Sequence, residues 1–229
     1  MQSKLRSRDF EAAYYEEHKA AGLDYLGHGY WQQSYARMVA DATFQESYER
    51  PVVFDAGCAC GSILKGFKDT GIFARVHGMD LSAHMVGLGR AHFGFSESEM
   101  MVGSIERTSL PDACATLVHS AHVLEHIPAA IAESVVPELA RILRPGGRAF
   151  LCMPAVRHGE TSSQYQRDPT HVNIQPVAYW TRLFQGSGLL FDVEAYNRFV
   201  RSPAGPSKGE QRSFFEAYPR WSVWTLMKA

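Results

Sequence analysis

Val52-Val53-Phe54-Asp55-Ala56-Gly57-Cys58-Ala59-Cys60-Gly61-Ser62-Ile63-Leu64 decides how the rest of the chain is read. Val52, Val53 and Phe54 form an apolar run suited to a short strand covered on both faces. Asp55 stands at its carboxyl end. Gly57 and Gly61 carry no Cβ, so the backbone there can turn tightly and come close to a ligand. A helix opening after Gly61 points unpaired backbone N–H groups into the same crevice. Strand, acid, glycine turn and helix together suit a nucleotide-like ligand with a polar tail.

Asp55 separates the possible ligands. A dinucleotide fingerprint carries three glycines and sets pyrophosphate on the helix N-terminus. Here the third small position is not cleanly met, and a carboxylate beside a diphosphate is repelled, whereas beside an ammonium group it is attracted. The spacing Asp55-x-Gly57-x-Ala59-x-Gly61 resembles the first motif of class I S-adenosylmethionine-dependent methyltransferases, with Ala59 at that family's middle glycine.

Further stretches extend the resemblance. Arg75-Val76-His77-Gly78-Met79-Asp80-Leu81-Ser82 reads as a second strand ending in an acid, where a carboxylate can accept hydrogen bonds from both ribose hydroxyls. The alternative is that Asp80 only caps the next helix. Gly103-Ser104-Ile105-Glu106, Leu110-Pro111 and the run Thr116 to Ile127 resemble small-molecule methyltransferases of the ubiquinone/menaquinone-biosynthesis type, the type 11 group. Those enzymes usually have Gly-Asp where this chain has Gly103-Ser104. An amphipathic helix carrying Val135, Val136, Leu139, Ile142 and Leu143 ends at Pro145-Gly146-Gly147, and a fifth strand follows.

The resemblance implies a Rossmann-like α/β fold: a seven-stranded, mostly parallel sheet with an antiparallel last strand and helices on both faces. Strands are expected at about 51–55, 75–80, 99–103, 116–121 and 148–153, with the last two in Leu190–Val200 and Ser222–Lys228. Residues 1–50, with helices expected over about 8–20 and 31–47, form a helical lid on the core 51–229, and residues 155–175 form an acceptor-side loop. The implied cofactor is S-adenosylmethionine, and the implied product S-adenosylhomocysteine. Asp55 would act on the donor's ammonium, directly or through water, and the loop of Gly57, Ala59 and Gly61 would hold its methionine part. Asp80 would take the ribose, and Met79, Leu81, Ser104 and Ile105 would surround adenine. Ser120 joins this cofactor-binding set, with Tyr14, Trp31 and Gln32 as lid contacts.

A hydroxyl or phenol acceptor must lose a proton, and imidazole, with an ordinary pKa of about 6.5, suits that task. His171, on the long polar loop, is the first choice of base, and His122, just past the fourth strand, the second. Glu125 and His126 are read as shaping the helix and the cofactor pocket. The histidines favour oxygen as the acceptor atom, with carbon and nitrogen open. No metal ligand set is assigned, although Asp168, His171 and Glu160 leave a divalent cation open. Cys58-x-Cys60 does not match common zinc spacings.

With 229 residues and a formal net charge of −1, the chain can bury one substantial core and has no basic field for nucleic acid. It lacks the Asn/Asp-Pro-Pro-Tyr/Phe and Pro-Cys motifs of nucleic-acid methyltransferases. A free small molecule, or the exposed end of a glycan or lipid, is therefore the expected acceptor. No stretch reaches the ~18–20 apolar residues of a membrane span. The mixed charges of the first twenty residues do not form a signal peptide. Cysteines at only 58, 60, 114 and 152 are expected as reduced thiols in the cytoplasm. Two competing readings stand beside catalysis: a methyltransferase-like regulatory or partner subunit that binds the cofactor without turnover, and a nicotinamide-dependent oxidoreductase on a related sheet. The oligomeric state is not legible.

Overall fold

A computed structural model of the chain describes residues 12–20, 25–26, 29–44, 48–156, 169–203 and 222–229, apart from the side chains at 18 and 29–31. Residues 8–11 of the first expected helix, the Trp31 side chain, Glu160, Asp168 and the loop glycines 205 and 209 lie outside the described residues.

Seven strands form one sheet: β1 (Val52–Ala56), β2 (Arg75–Asp80), β3 (Met100–Val102), β4 (Ala115–Ala121), β5 (Leu143–Cys152), β6 (Leu189–Phe191) and β7 (Val223–Lys228). Their spatial order is β3-β2-β1-β4-β5-β7-β6. β1 to β5 pair in parallel, and β7 runs antiparallel to both β5 and β6. The expected seven-stranded sheet with its antiparallel last strand is therefore present. The helices are α1 (Ala12–Ala20), α2 (Gly29–Thr43), α3 (Ser62–Asp69), α4 (Ala83–Phe93), α5 (Ala129–Ile142), α6 (Val177–Gly186) and α7 (Val193–Val200).

Alternation along β1 and β4 sends side chains to two separate cores. Phe54 and Val118 join Val135, Leu139, Trp180 and Phe184 on one face. Val53 and Leu117 join Leu64, Phe67, Tyr35, Val39 and Phe199 on the other. On α2, Tyr35, Met38, Val39 and Ala42 recur at helical spacing and are buried. A Cβ added to Gly66 of α3 would stand 2.8 Å from the Ala36 Cβ, so α2 lies directly on α3.

Two boundaries differ from the sequence reading. The expected strand over Leu190–Val200 is only the short β6, followed by α7. Asp192 starts that helix, its side chain accepting from the Ala195 N–H at 2.8 Å. Ala195 and Phe199, four residues apart, are its buried face, so apolar residues read with period two serve a helix instead. β5 reaches back to Leu143, and its register jumps from Ala115↔Leu143 to Leu117↔Arg148, so the Pro-Gly-Gly turn is looped out of the strand.

Strand order reverses between β1 and β4. In an open parallel sheet this opens a crevice at the strands' carboxyl ends, the place where such folds hold ligands.

Candidate active site

The β1–α3 loop forms the floor of that crevice. Gly57, Ala59 and Gly61 all adopt positive φ, at 74°, 48° and 78°. A side chain at Gly57 is doubly excluded, since an added Cβ would stand 2.3 Å from Val123 Cγ2. The N–H groups of Gly57 and Cys58 donate to the Met79 carbonyl at 2.8 and 3.1 Å, tying the loop to the end of β2.

Asp80 organises the loop from β2. Its Oδ2 accepts from the Ala59 N–H at 2.9 Å and its Oδ1 from the Ser82 N–H at 2.8 Å. Burial pushes the Asp80 carboxyl above its ordinary pKa, and these two N–H groups and that of Leu81 only partly oppose this. A carboxylate in that position gains from any further donor, such as a hydroxyl pair. Ser82, not Asp80, caps α4 by accepting from the Met85 N–H, so the alternative capping role falls to its neighbour.

Asp55 pairs with its neighbouring strand. It is 3% exposed, and its Oδ1 lies 2.7 Å from His119 Nδ1 in β4. His119 Nε2 lies 3.0 Å from the Tyr35 hydroxyl of α2. A carboxylate only accepts, so Nδ1–H donates to Asp55. The charge still reaches the loop, where burial and then Asp55 push the Cys58 thiol up. His119 and Tyr35 were not among the expected site residues. The available signal was a lone histidine in the apolar run Leu117 to Ala121.

The other expected cofactor residues divide. Met79 and Ile105 are buried, Leu81 is half-buried and Ser104 exposed, with Ser104 Oγ accepting from the Glu106 N–H at 3.2 Å. Ser120 is buried and donates to the Ala56 carbonyl at 2.9 Å, which spends its hydroxyl inside the sheet. Gln32 is buried, with its Oε1 lacking a hydrogen-bond partner. On α1, Tyr15 stands beside Tyr14. Burial first and then Asp80 drive the Tyr15 phenol's pKa up, with Cys60 also contributing. Tyr15 stacks edge-on with Tyr14 and with Tyr25, each at 5.1 Å.

The turn after β4 holds both expected bases near one carboxylate. His122 has a φ of 57°, rare for a residue with a side chain and common where strain is kept for function. Its Nδ1 lies 3.0 Å from Glu125 Oε1. Burial pulls the His122 pKa down, but hydrogen bonds to Cys152 and Glu125 outweigh it and hold it above the ordinary value. Glu125 is fully buried, and its backbone carbonyl accepts from the N–H groups of Val172 and Asn173 at 3.0 and 2.9 Å. Those bonds fasten the end of the 155–175 loop to the 3-10 turn Leu124–His126. His171 is thereby brought against His126, ring centroids 4.7 Å apart.

Residues 54–151 match the family model described as a methyltransferase domain. That stretch runs from β1 through β5 and includes Asp55, the glycine loop, Asp80 and the His122–His126 turn. Over those residues the chain carries a methyltransferase domain. Among solved structures, the methyltransferase domain is similar to a chain from the complex between the Haloferax volcanii Trm112 methyltransferase activator and a candidate methyltransferase. The two are 20% identical with a TM-score of 0.66, over 95% of this chain and 96% of that one. Bacillus subtilis YcgJ is 17% identical, covering 85% of this chain and 93% of its own, with a TM-score of 0.59. Geranyl diphosphate C-methyltransferase from Streptomyces coelicolor A3(2), in complex with Mg2+, geranyl diphosphate and S-adenosylhomocysteine, is 18% identical. It covers 83% of this chain and 74% of its own, with a TM-score of 0.59. No curated protein gives a significant sequence match. Among the described residues, no helix of this methyltransferase domain is long and apolar enough to cross a membrane.

Proposed function

We propose that this chain transfers the methyl group of S-adenosylmethionine to an oxygen of a small-molecule acceptor, or of the exposed end of a glycan or lipid. The observation that carries the reading is the contact between Gly57 and Val123. It sets the donor loop directly against the turn that holds His122 and Glu125. Donor-binding and proton-handling groups thus belong to one crevice.

The cradle fits the donor: a loop with room for backbone only at Gly57, and at Asp80 a carboxylate that gains from hydroxyl donors. When bound, S-adenosylmethionine supplies a methyl group made electrophilic by its positive sulfur. Gly57, Ala59 and Gly61 hold its methionine part, Asp80 the ribose, and Met79, Leu81 and Ile105 the adenine. Asp55 contributes its field from within the sheet. The polar head of Gln32 and the ring of Tyr15 close the crevice from the N-terminal helices, residues 1–50 acting as its cover. Glu125 holds the His122 ring in place, so that above its raised pKa the neutral imidazole takes the acceptor's proton, and His171 brings the 155–175 loop to the same side. Most of the rate then comes from alignment and exclusion of water.

A second reading is a subunit that binds the donor without turnover on its own, which the activator-bound Haloferax volcanii neighbour brings into view. Calorimetric titration of the purified protein with S-adenosylmethionine, S-adenosylhomocysteine and NAD, followed by an acceptor screen, separates these readings. Micromolar binding of the two sulfur ligands and not of NAD, with turnover of an alcohol or phenol, is the expected result. Binding without turnover of any acceptor favours the second reading, and failure to bind either sulfur ligand overturns both.

A further inference from the structure

Glu125, His126 and His171 each place one ligand atom within 4.8 Å of the others. The second carboxylate oxygen of Glu125 is what makes this more than a polar cluster. Oε1 is engaged by His122, but Oε2 is buried without any hydrogen-bond partner, in a residue that is itself 0% exposed. A buried carboxylate oxygen with nothing to satisfy it carries a penalty of roughly 1–3 kcal/mol or more. Folded proteins usually satisfy such an atom, with an ion or a water where no protein group reaches it.

We propose that Glu125, His126 and His171 form a binding site for a divalent transition-metal cation of the zinc or cobalt(II) type. One carboxylate oxygen with two imidazole nitrogens is a borderline donor set, suited to such cations rather than to Mg2+ or Ca2+, which prefer all-oxygen shells. The surroundings are those of a metal site. His126 Nδ1 is 2.8 Å from Thr170 Oγ1, a contact that fixes the ring. Asn173 Nδ2 donates to the Leu124 carbonyl at 3.1 Å and helps fix the chain beside His171. Donors on a cation at about 2.0–2.2 Å stand roughly 3–3.5 Å apart, so the three groups close by up to about 1.5 Å on binding. His171, half-buried and on a loop, supplies that movement.

Three protein ligands leave coordination positions for other oxygens, the pattern of a reactive rather than a purely structural site. The use of those positions rests on the methyltransferase reading above. There an acceptor hydroxyl bound to the cation loses its proton more readily. The O–H bond breaks with the proton passing to solvent. The oxygen forms a bond to the methyl carbon as the carbon–sulfur bond breaks, leaving the neutral thioether. Cation binding itself does not depend on that reading.

The test uses the full chain without a polyhistidine tag, stripped with chelator and titrated with Zn2+ by calorimetry and with Co2+ by visible absorption. One cation per chain is expected, with a cobalt d–d band. His171→Ala and Glu125→Gln are expected to weaken Zn2+ binding at least ten-fold, and the surface variant His92→Ala to leave it unchanged. His171→Ala tests the site even if Glu125→Gln does not fold. No one-to-one binding to the folded protein, or wild-type affinity in His171→Ala, overturns the site. S-adenosylmethionine is titrated separately: donor binding without cation binding removes only the metal site, and cation binding without donor binding removes only the methyltransferase reading.

Discussion

Asp55 Oδ1 and His119 Nδ1 lie 2.7 Å apart in the middle of the sheet, on adjacent strands in direct register, both nearly excluded from water. Phe67, Phe150 and Tyr35 ring the imidazole. A carboxylate so enclosed depends on its single donor. His119→Phe fits the aromatic surroundings but strands the charge, and is expected to destabilise the fold by about 3–5 kcal/mol. Asp55→Asn keeps a polar contact without the charge and should cost markedly less. Urea unfolding of the two variants checks the order, and an equal loss from both would show that the pair is not acting as a charge and its donor.

Gly57 and Val123 make the donor loop and the His122 turn a single packed unit. Gly57→Ala places a Cβ 2.3 Å from Val123 Cγ2 on a backbone of positive φ. S-adenosylmethionine affinity is expected to fall at least ten-fold. Val123→Ala removes both clashing methyl groups, so the double variant should recover part of the loss, with the left-handed strain of about 1–2 kcal/mol and the 3.2 Å approach of the Val123 Cβ remaining. A double-mutant cycle by calorimetry gives the coupling directly. Additive losses would mean that the loop does not lean on that turn.

Glu138 anchors the far side of α5. It accepts from Arg141 and from both the N–H and the hydroxyl of Thr108. Arg141 first, then Thr108, draw its pKa down to about 2, against an opposing effect of burial. A lowered carboxylate pKa stabilises the fold above its unfolded value of about 4.3, and the contribution is lost as pH falls toward about 2. With Arg141 partly open to solvent, the effect is on the order of 2 kcal/mol. Stability of the wild type should fall through this window, and Glu138→Gln should flatten the slope there. Parallel slopes in denaturant titrations at pH 5, 4 and 3 would count against the cluster.

The parallel sheet was legible because short apolar runs lead into Asp55, Asp80 and Gly103 at the ends of β1, β2 and β3, and because Ala59 keeps the glycine conformation, with a φ of 48°, despite its side chain. The second half was less so. Val193 to Val200 alternates like a strand, yet the Asp192 cap turns it into α7. At the site, residue type and position were readable but side-chain direction was not. Asp55 sits where an ammonium partner is expected, but strand alternation points it toward α2 and His119. Glu125 looked like a helix residue because its role depends on a loop some fifty positions away, and the Asn173-to-Leu124 bond that joins them cannot be read from local pattern.

Asp80 and His171 should separate donor binding from acceptor chemistry. Asp80 holds the loop through Ala59 and presents a carboxylate raised by burial, so its removal loses both the cradle and the hydroxyl acceptor. Asp80→Ala is expected to weaken S-adenosylmethionine binding by at least ten-fold, with Asp80→Asn intermediate because the amide oxygen can still accept from one N–H group. His171 touches His126 on the other side of the Glu125 turn, and His171→Ala should leave donor affinity within about two-fold while lowering turnover. Calorimetry measures the first effect and single-turnover kinetics the second. Equal losses of donor affinity would dissolve the division of roles, and full turnover in His171→Ala would remove that histidine from the chemistry.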